Sequence, residues 1–275
     1  MTGLTSLPPA VEVSGLSISL GTRGTKARIL DDVSFSLGRG EFLSVVGRNG
    51  AGKSTLFRCI AGILKGYAGT IRVDGHPVSG MRPRERARHI AYVPQGAPSD
   101  VPYTVAEFLE MSRYPWRDVA SATEDRRAVD EAMALAGVAH LAARRLGDLS
   151  GGERQKVLIA AAVAQGASCV LMDEPTTYLD YAHQVEAMRI MADINRERGA
   201  TLLVVTHDVN MAIRISSRII ALSRGRLAWE GTPDDFLESG RLEEIFGVRF
   251  ARYRADDGAL SPVLAPVSDL EGTPR

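Results

Sequence analysis

The sequence predicts an α/β protein built around a phosphate-binding loop. Three features carry that reading. The string Gly47-Arg48-Asn49-Gly50-Ala51-Gly52-Lys53-Ser54-Thr55 fits G-x-x-x-x-G-K-[ST]. The stretch at 41–46, read as a short buried strand, precedes it, and residues 55–64, read as a helix, follow it. Two apolar runs, 169–172 and 202–205, end in acidic or polar residues and are separated by a helical stretch at 184–198. Such alternation is the pattern of parallel strands joined through helices.

The loop has a mechanism. Glycines let the backbone wrap an anion without Cβ clashes. Successive N–H groups then form a nest at a helix N-terminus. Lys53 is placed to reach the β- and γ-phosphates of a nucleotide, and the Ser54 hydroxyl to bind Mg²⁺.

Bulk properties narrow the class. The 275 residues suffice for one large or two small domains, and 45% hydrophobic with 24% charged residues is ordinary for a globular chain. The formal net charge is zero, so nothing global points to nucleic acid. The longest weakly polar run, 157–172, is interrupted by Gln165, Gly166 and Ser168 and is too short to span a bilayer. No charged segment followed by an apolar core opens the chain, so no signal peptide is expected. The two cysteines, Cys59 and Cys169, fall in apolar stretches and read as buried free thiols.

Taken in order, residues 1–10 read as a loose arm. Alternating strands at 11–20 and 29–37 flank a turn at 21–26, and 69–75 reads as a strand closed by an Asp-Gly turn. Two to three antiparallel strands therefore flank the loop. Arg82, Arg84, Arg86 and Arg88 suit a solvated helix face, because Glu85 interrupts them and no aromatics interleave. A strand at 90–93 leads to Pro94-Gln95. Residues 105–146 are helical with polar breaks. Leu149-Ser150-Gly151-Gly152-Glu153 opens a helix at 154–165, with Ser150 and Glu153 spaced as a capping box. The strand at 169–172 ends in Asp173-Glu174. It is expected beside the P-loop strand, where Asp173 holds Mg²⁺ and Glu174 orients a water. His207 and Asp208 end the strand at 202–206, close to the γ-phosphate position. Strands at 219–222 and 227–229, one helix over 233–246 and a tail without periodicity from about 251 complete the chain.

The ordered set of P-loop, Gln95, the 149–153 pentapeptide, Asp173-Glu174, Leu179-Asp180 and His207 resembles the nucleotide-binding subunits of ABC transporters. The resemblance covers about residues 11–247. It implies a RecA-like P-loop NTPase core, an antiparallel β subdomain and an inserted α-helical subdomain at about 97–155, within an ATPase domain at 11–250. The cofactors implied are ATP and Mg²⁺. Gly47, Arg48, Asn49, Gly50, Ala51, Gly52, Lys53, Ser54 and Thr55 would cradle the phosphates; Ser54, Gln95 and Asp173 would hold Mg²⁺. Glu174 would polarise the attacking water, and His207 would contact the γ-phosphate. Ser150, Gly151, Gly152 and Asp180 would complete the site of a second subunit in a head-to-tail homodimer.

A finer resemblance rests on 176–186, on 206–212 and on Arg113-Tyr114-Pro115. These segments are similar to the importers of ferric siderophores, haem and cobalamin. The partners implied are membrane permease subunits and, indirectly, an extracytoplasmic substrate-binding protein, with no nucleic acid. The location implied is peripheral, at the cytoplasmic face of the membrane. Import of manganese, zinc or molybdate is the alternative, and a soluble ABC ATPase acting on DNA or ribosomes a more distant one. Tyr114, Pro115 and Trp116 are expected in the permease groove. One departure stands out: the family's adenine-stacking aromatic is expected near Leu20, yet no aromatic precedes Ile29. Arg23 or, better, Arg28 would cover the base instead.

Overall fold

The structure is a computed structural model that describes residues 7–21, 25–96, 102–253 and 263–267. Two sheets sandwich the first helix. The outer sheet is antiparallel. β1 (Val11–Leu20) pairs with β2 (Ala27–Leu37), from Val11 opposite Leu37 to Leu20 opposite Ala27. Its apolar positions alternate inward, as a sheet with one buried face requires. β3 (Phe42–Val46) is different: all five residues are buried, as suits a central parallel strand covered on both faces. α1 (Lys53–Ile60) follows the loop. β4 (Ala68–Val73) pairs with the other edge of β1, and the short β5 (His76–Pro77) finishes the outer sheet in the order β2-β1-β4-β5.

α2 (Pro83–His89) runs into β6 (Ile90–Val93). α3 (Val105–Ser112), α4 (Ala122–Leu135) and α5 (Gly151–Gln165) form the helical region, and each starts on a full capping box, Thr104–Glu107, Ser121–Glu124 and Ser150–Glu153. β7 (Cys169–Asp173), α6 (Tyr181–Arg198), β8 (Thr201–Val205), α7 (Val209–Ile215), β9 (Arg218–Ser223) and β10 (Arg226–Gly231) return the chain to the main sheet. Its order is β10-β9-β3-β8-β7-β6, parallel except for the β9–β10 hairpin.

One core lies between the sheets around Leu56, Phe57 and Ile60 of α1. A second covers the other face of the main sheet and continues without a break into the helical region, joining Val170 and Leu202 to Leu109, Ala132 and Leu146.

The structure corrects four sequence expectations. β7 does not adjoin β3, because β8 pairs with both and stands between them. The helix expected over 233–246 is two, α8 (Pro233–Glu238) and α9 (Leu242–Phe246), separated where Gly240 takes φ +67°. Residues 251–253, which belong to β11 (Arg249–Tyr253), are not a structureless tail: they pair antiparallel with β12 (Val263–Val267). The arginines of α2 are not merely solvated. Arg84 and Arg88 both donate to the Pro115 carbonyl, and Arg88 lies over the Trp116 ring.

Candidate nucleotide site

A cavity of about 700 Å³ opens at the carboxyl ends of β3, β7 and β8. Its floor is the P-loop. Gly47 has φ +142°, and a Cβ there would lie 2.2 Å from the Leu222 carbonyl oxygen, so only glycine lets the loop leave β3 along this path. Gly52 caps α1 at φ +101°. Lys53 is 5% exposed and folds back, its Nζ donating to the carbonyls of Gly47 (2.7 Å) and Arg48 (3.1 Å). Burial lowers its pKa, while the nearby carboxylates of Glu174 and Asp173 act in the opposite direction. The ammonium is thus held against the loop by two of its own carbonyls.

The strand insertion noted above does not separate Asp173 from the loop. Ser54 Oγ lies 3.3 Å from Asp173 Oδ1, and Tyr92 Oη 3.3 Å from Asp173 Oδ2. Burial is the main cause that raises the Asp173 pKa; hydrogen bonds from Ser54 and Tyr92 act against it. Burial likewise raises Tyr92, to about 12, keeping the phenol a donor. A hydroxyl and a carboxylate oxygen meeting at the loop are hard oxygen donors of the kind Mg²⁺ takes. No group of three or more His, Cys, Asp or Glu side chains that could hold a metal ion occurs among the described residues.

Glu174 sits one residue on, with φ +52°. Its Oε2 accepts from Gln95 Nε2 (2.9 Å) and Thr177 Oγ1 (3.0 Å), and His207 Nδ1 stands 3.4 Å away. Two distant segments, at Gln95 and His207, therefore converge with the nearby Thr177 on one carboxylate oxygen. Asn49, Gly50, Gly52, Lys53, Ser54, Thr55, Gln95, Glu174 and His207 all line the cavity. Gly47, Arg48, Ala51 and Asp173 support it from the loop and the strand end. Ser150, Gly151, Gly152 and Asp180 do not line it. They cluster instead where the N-termini of α5 and α6 meet.

Sequence reasoning missed Thr177 and Tyr92. The spacing of Thr177, three residues after Glu174, was the available hint; nothing local links Tyr92 to Asp173, 81 positions on. Ile29 and Tyr178 also line the cavity, and Tyr178 is 87% exposed. The base-covering role expected of Arg28 finds no support here. Its guanidinium donates to Asp31 Oδ1 at 2.6 Å and does not line the cavity; Arg23 lies outside the described residues. Leu20 is partly exposed, on the strand paired to the Ile29 segment.

A second cavity, of about 730 Å³, lies in the helical region and is lined by Tyr103, Met111, Tyr114 and Arg117 among others. Trp116 is not part of it. Its Nε1 donates to the Gln165 carbonyl at 2.6 Å, closing the C-terminus of α5, while Pro115 is buried and Tyr114 alone of the three faces outward.

A family model described as ABC transporter matches residues 30–177. The chain belongs to the ABC transporter family. Among its relatives, the cobalamin import ATP-binding protein BtuD of Halobacterium salinarum is 39% identical over 241 residues, 88% of this chain and 60% of that protein. The chain thus spans about three-fifths of the length of that relative. The ferric enterobactin transport ATP-binding protein FepC of Escherichia coli is 34% identical over 244 residues, 88% of this chain and 90% of that protein. Two solved ABC structures are also similar. One, described as of the metal-chelate type and inward-facing, has TM-score 0.78 and 26% identity, covering 96% of this chain and 99% of that one. The other is an ATP-binding cassette dimer in a post-hydrolysis state with ADP and phosphate. It has TM-score 0.71 and 28% identity, covering 81% of this chain and 98% of that one. The α/β architecture built here is the P-loop fold of ABC ATPase cassettes.

Proposed function

We propose that this chain is the ATP-hydrolysing subunit of an importer of metal chelates, of the class that includes ferric siderophores, haem and cobalamin. The observation that carries the chemistry is the convergence of Gln95, Thr177 and His207 on Glu174, beside Lys53, Ser54 and Asp173. The cargo class rests on the names of the relatives, cobalamin and ferric enterobactin among them.

Each residue has a defined task in this reading. The amides of 47–55 and Lys53 hold the phosphates. Ser54, Asp173 and Gln95 would hold Mg²⁺, which supplies charge neutralisation on the phosphate oxygens when bound. Glu174 accepts hydrogen bonds on one oxygen, leaving the other free to orient water toward the γ-phosphate. His207 lies beside that carboxylate and would donate to the γ-phosphate.

Ser150, Gly151 and Asp180 stand exposed at helix starts away from their own cavity, with Gly152 buried beside them, which supports a role in the site of a second, head-to-tail copy. The N-terminus of α5 would then present its free N–H groups to that copy's γ-phosphate. Permease contact is assigned to the groove of Tyr103, Met111 and Tyr114, where aromatic and apolar side chains lie partly exposed. No helix among the described residues is long and apolar enough to cross a membrane. Residence at the cytoplasmic face through separate permease chains fits that feature.

The test is reconstitution of the full chain with its cognate permease subunits. Mg²⁺-dependent ATP hydrolysis stimulated by a metal chelate, and lost with Lys53→Ala, is the expected result. Stimulation by free manganese, zinc or molybdate would overturn the cargo assignment.

A further inference from the structure

His183 occupies a place that the mechanism above does not use. It lies in the first turn of α6, whose N-cap is Asp180. The Asp180 carboxylate accepts from the His183 backbone N–H at 2.9 Å and meets the His183 ring Nδ1 at 2.7 Å. The other side of the ring rests on α5. A Cβ built on Gly152 would lie 2.1 Å from His183 Cδ2 and 2.3 Å from Cγ, closer than real Cβ atoms come. Gly151, one residue earlier, has open space at the same position. The missing side chain at Gly152 is thus what seats the imidazole. One turn further along both helices, Lys156 Nζ pairs with Glu186 Oε2 at 3.0 Å, so the two helix starts are fastened twice.

The consequence is geometric. Ser150–Gly152 and the turn at Asp180 belong to different segments, yet both bear on one side chain. Thr177 ties the same turn to Glu174 at its other end. We propose that His183 is a positioning residue: it locks the Asp180 turn to the Ser150–Gly152 helix start, so that one subunit presents both elements to its partner's nucleotide in fixed register. This rests on the head-to-tail dimer proposed above. Without the ring, Asp180 loses a hydrogen bond to its charged group, and α5 loses the surface under Gly152. The two elements would then have to be ordered separately at closure, and that ordering opposes dimer formation.

The test uses the full chain carrying Glu174→Gln, which is expected to bind ATP and turn it over only slowly. The ATP concentration that drives dimerisation is read by gel filtration, and monomer affinity by a fluorescent ATP analogue. Adding His183→Ala should raise the ATP needed for dimerisation by about tenfold, as expected for losing one hydrogen bond to a charged group, without changing monomer affinity. His183→Asn, whose amide nitrogen can stand where Nδ1 does, should recover most of the loss. His183→Leu, which fills space but donates nothing, should not. Dimerisation of His183→Ala equal to its parent, or of His183→Asn no better than His183→Leu, would overturn the proposal. If the Glu174→Gln parent itself stays monomeric with ATP, the head-to-tail reading falls, and this inference with it.

Discussion

Replacing Glu174 by Gln is the sharpest probe of the site. The two side chains are nearly isosteric. The amide oxygen can still accept from Gln95 (2.9 Å) and Thr177 (3.0 Å), so the local geometry should survive. What disappears is the negative charge and the basic oxygen that would face water. Loss of a positioned general base slows a reaction by about 10²–10⁴-fold, equivalent to about 3–5 kcal/mol of barrier. Ground-state binding should move the other way. Glu174 helps hold Lys53 charged, yet it also repels incoming phosphates, and Asp173 remains to support Lys53. Nucleotide affinity is therefore expected to stay level or tighten. The assay is phosphate release at saturating Mg²⁺ and ATP, beside equilibrium binding of a fluorescent ATP analogue. Turnover within about threefold of the parent would refute a base role, since any such role is worth far more. A large loss of affinity would show that the carboxylate shapes the loop instead.

Three further outcomes are expected. Leu20→Tyr should supply the absent aromatic face, tightening ATP by about fivefold or more, the low end of base stacking, and leaving inorganic triphosphate unchanged in parallel calorimetric titrations. Trp116→Phe removes the 2.6 Å bond to the Gln165 carbonyl, which keeps Arg113 as a donor at 3.3 Å, so urea unfolding should report about 1 kcal/mol lost with ATP turnover unchanged. Acidification should lower the melting temperature. The pKa values of Glu107, Glu124 and Glu153 are depressed below the ordinary 4.5, chiefly by backbone N–H groups at their own caps. Their contribution is thus complete above that value and lost as pH falls through the depressed ones. Asp173, raised by burial, opposes this, and changing the three cap glutamates to Gln should flatten the acid limb in a calorimetric series.

The loop, the strand runs and the helix starts were legible because their causes are local. Gly47 to Thr55 carry their chemistry in nine adjacent positions, and Ser150 with Glu153 forms its capping box within one turn. The strands at 42–46 and 201–205, apolar but for Ser44 and Thr201, announce burial on both faces by composition. What sequence could not fix is which strands become neighbours, since parallel pairing is decided by how helices pack over the sheet. That is why β8 separates β7 from β3, and why Asp173 nevertheless meets Ser54 119 positions away. The partners of Tyr92, Trp116 and His183 belong to the same class. Each side chain meets a group from another segment (for His183 this is Gly152, since Asp180 is local), and no periodicity or spacing encodes that meeting. The sequence determined the kinds of element and the chemistry they carry; tertiary packing alone decided which carboxylate, carbonyl and glycine each side chain would face.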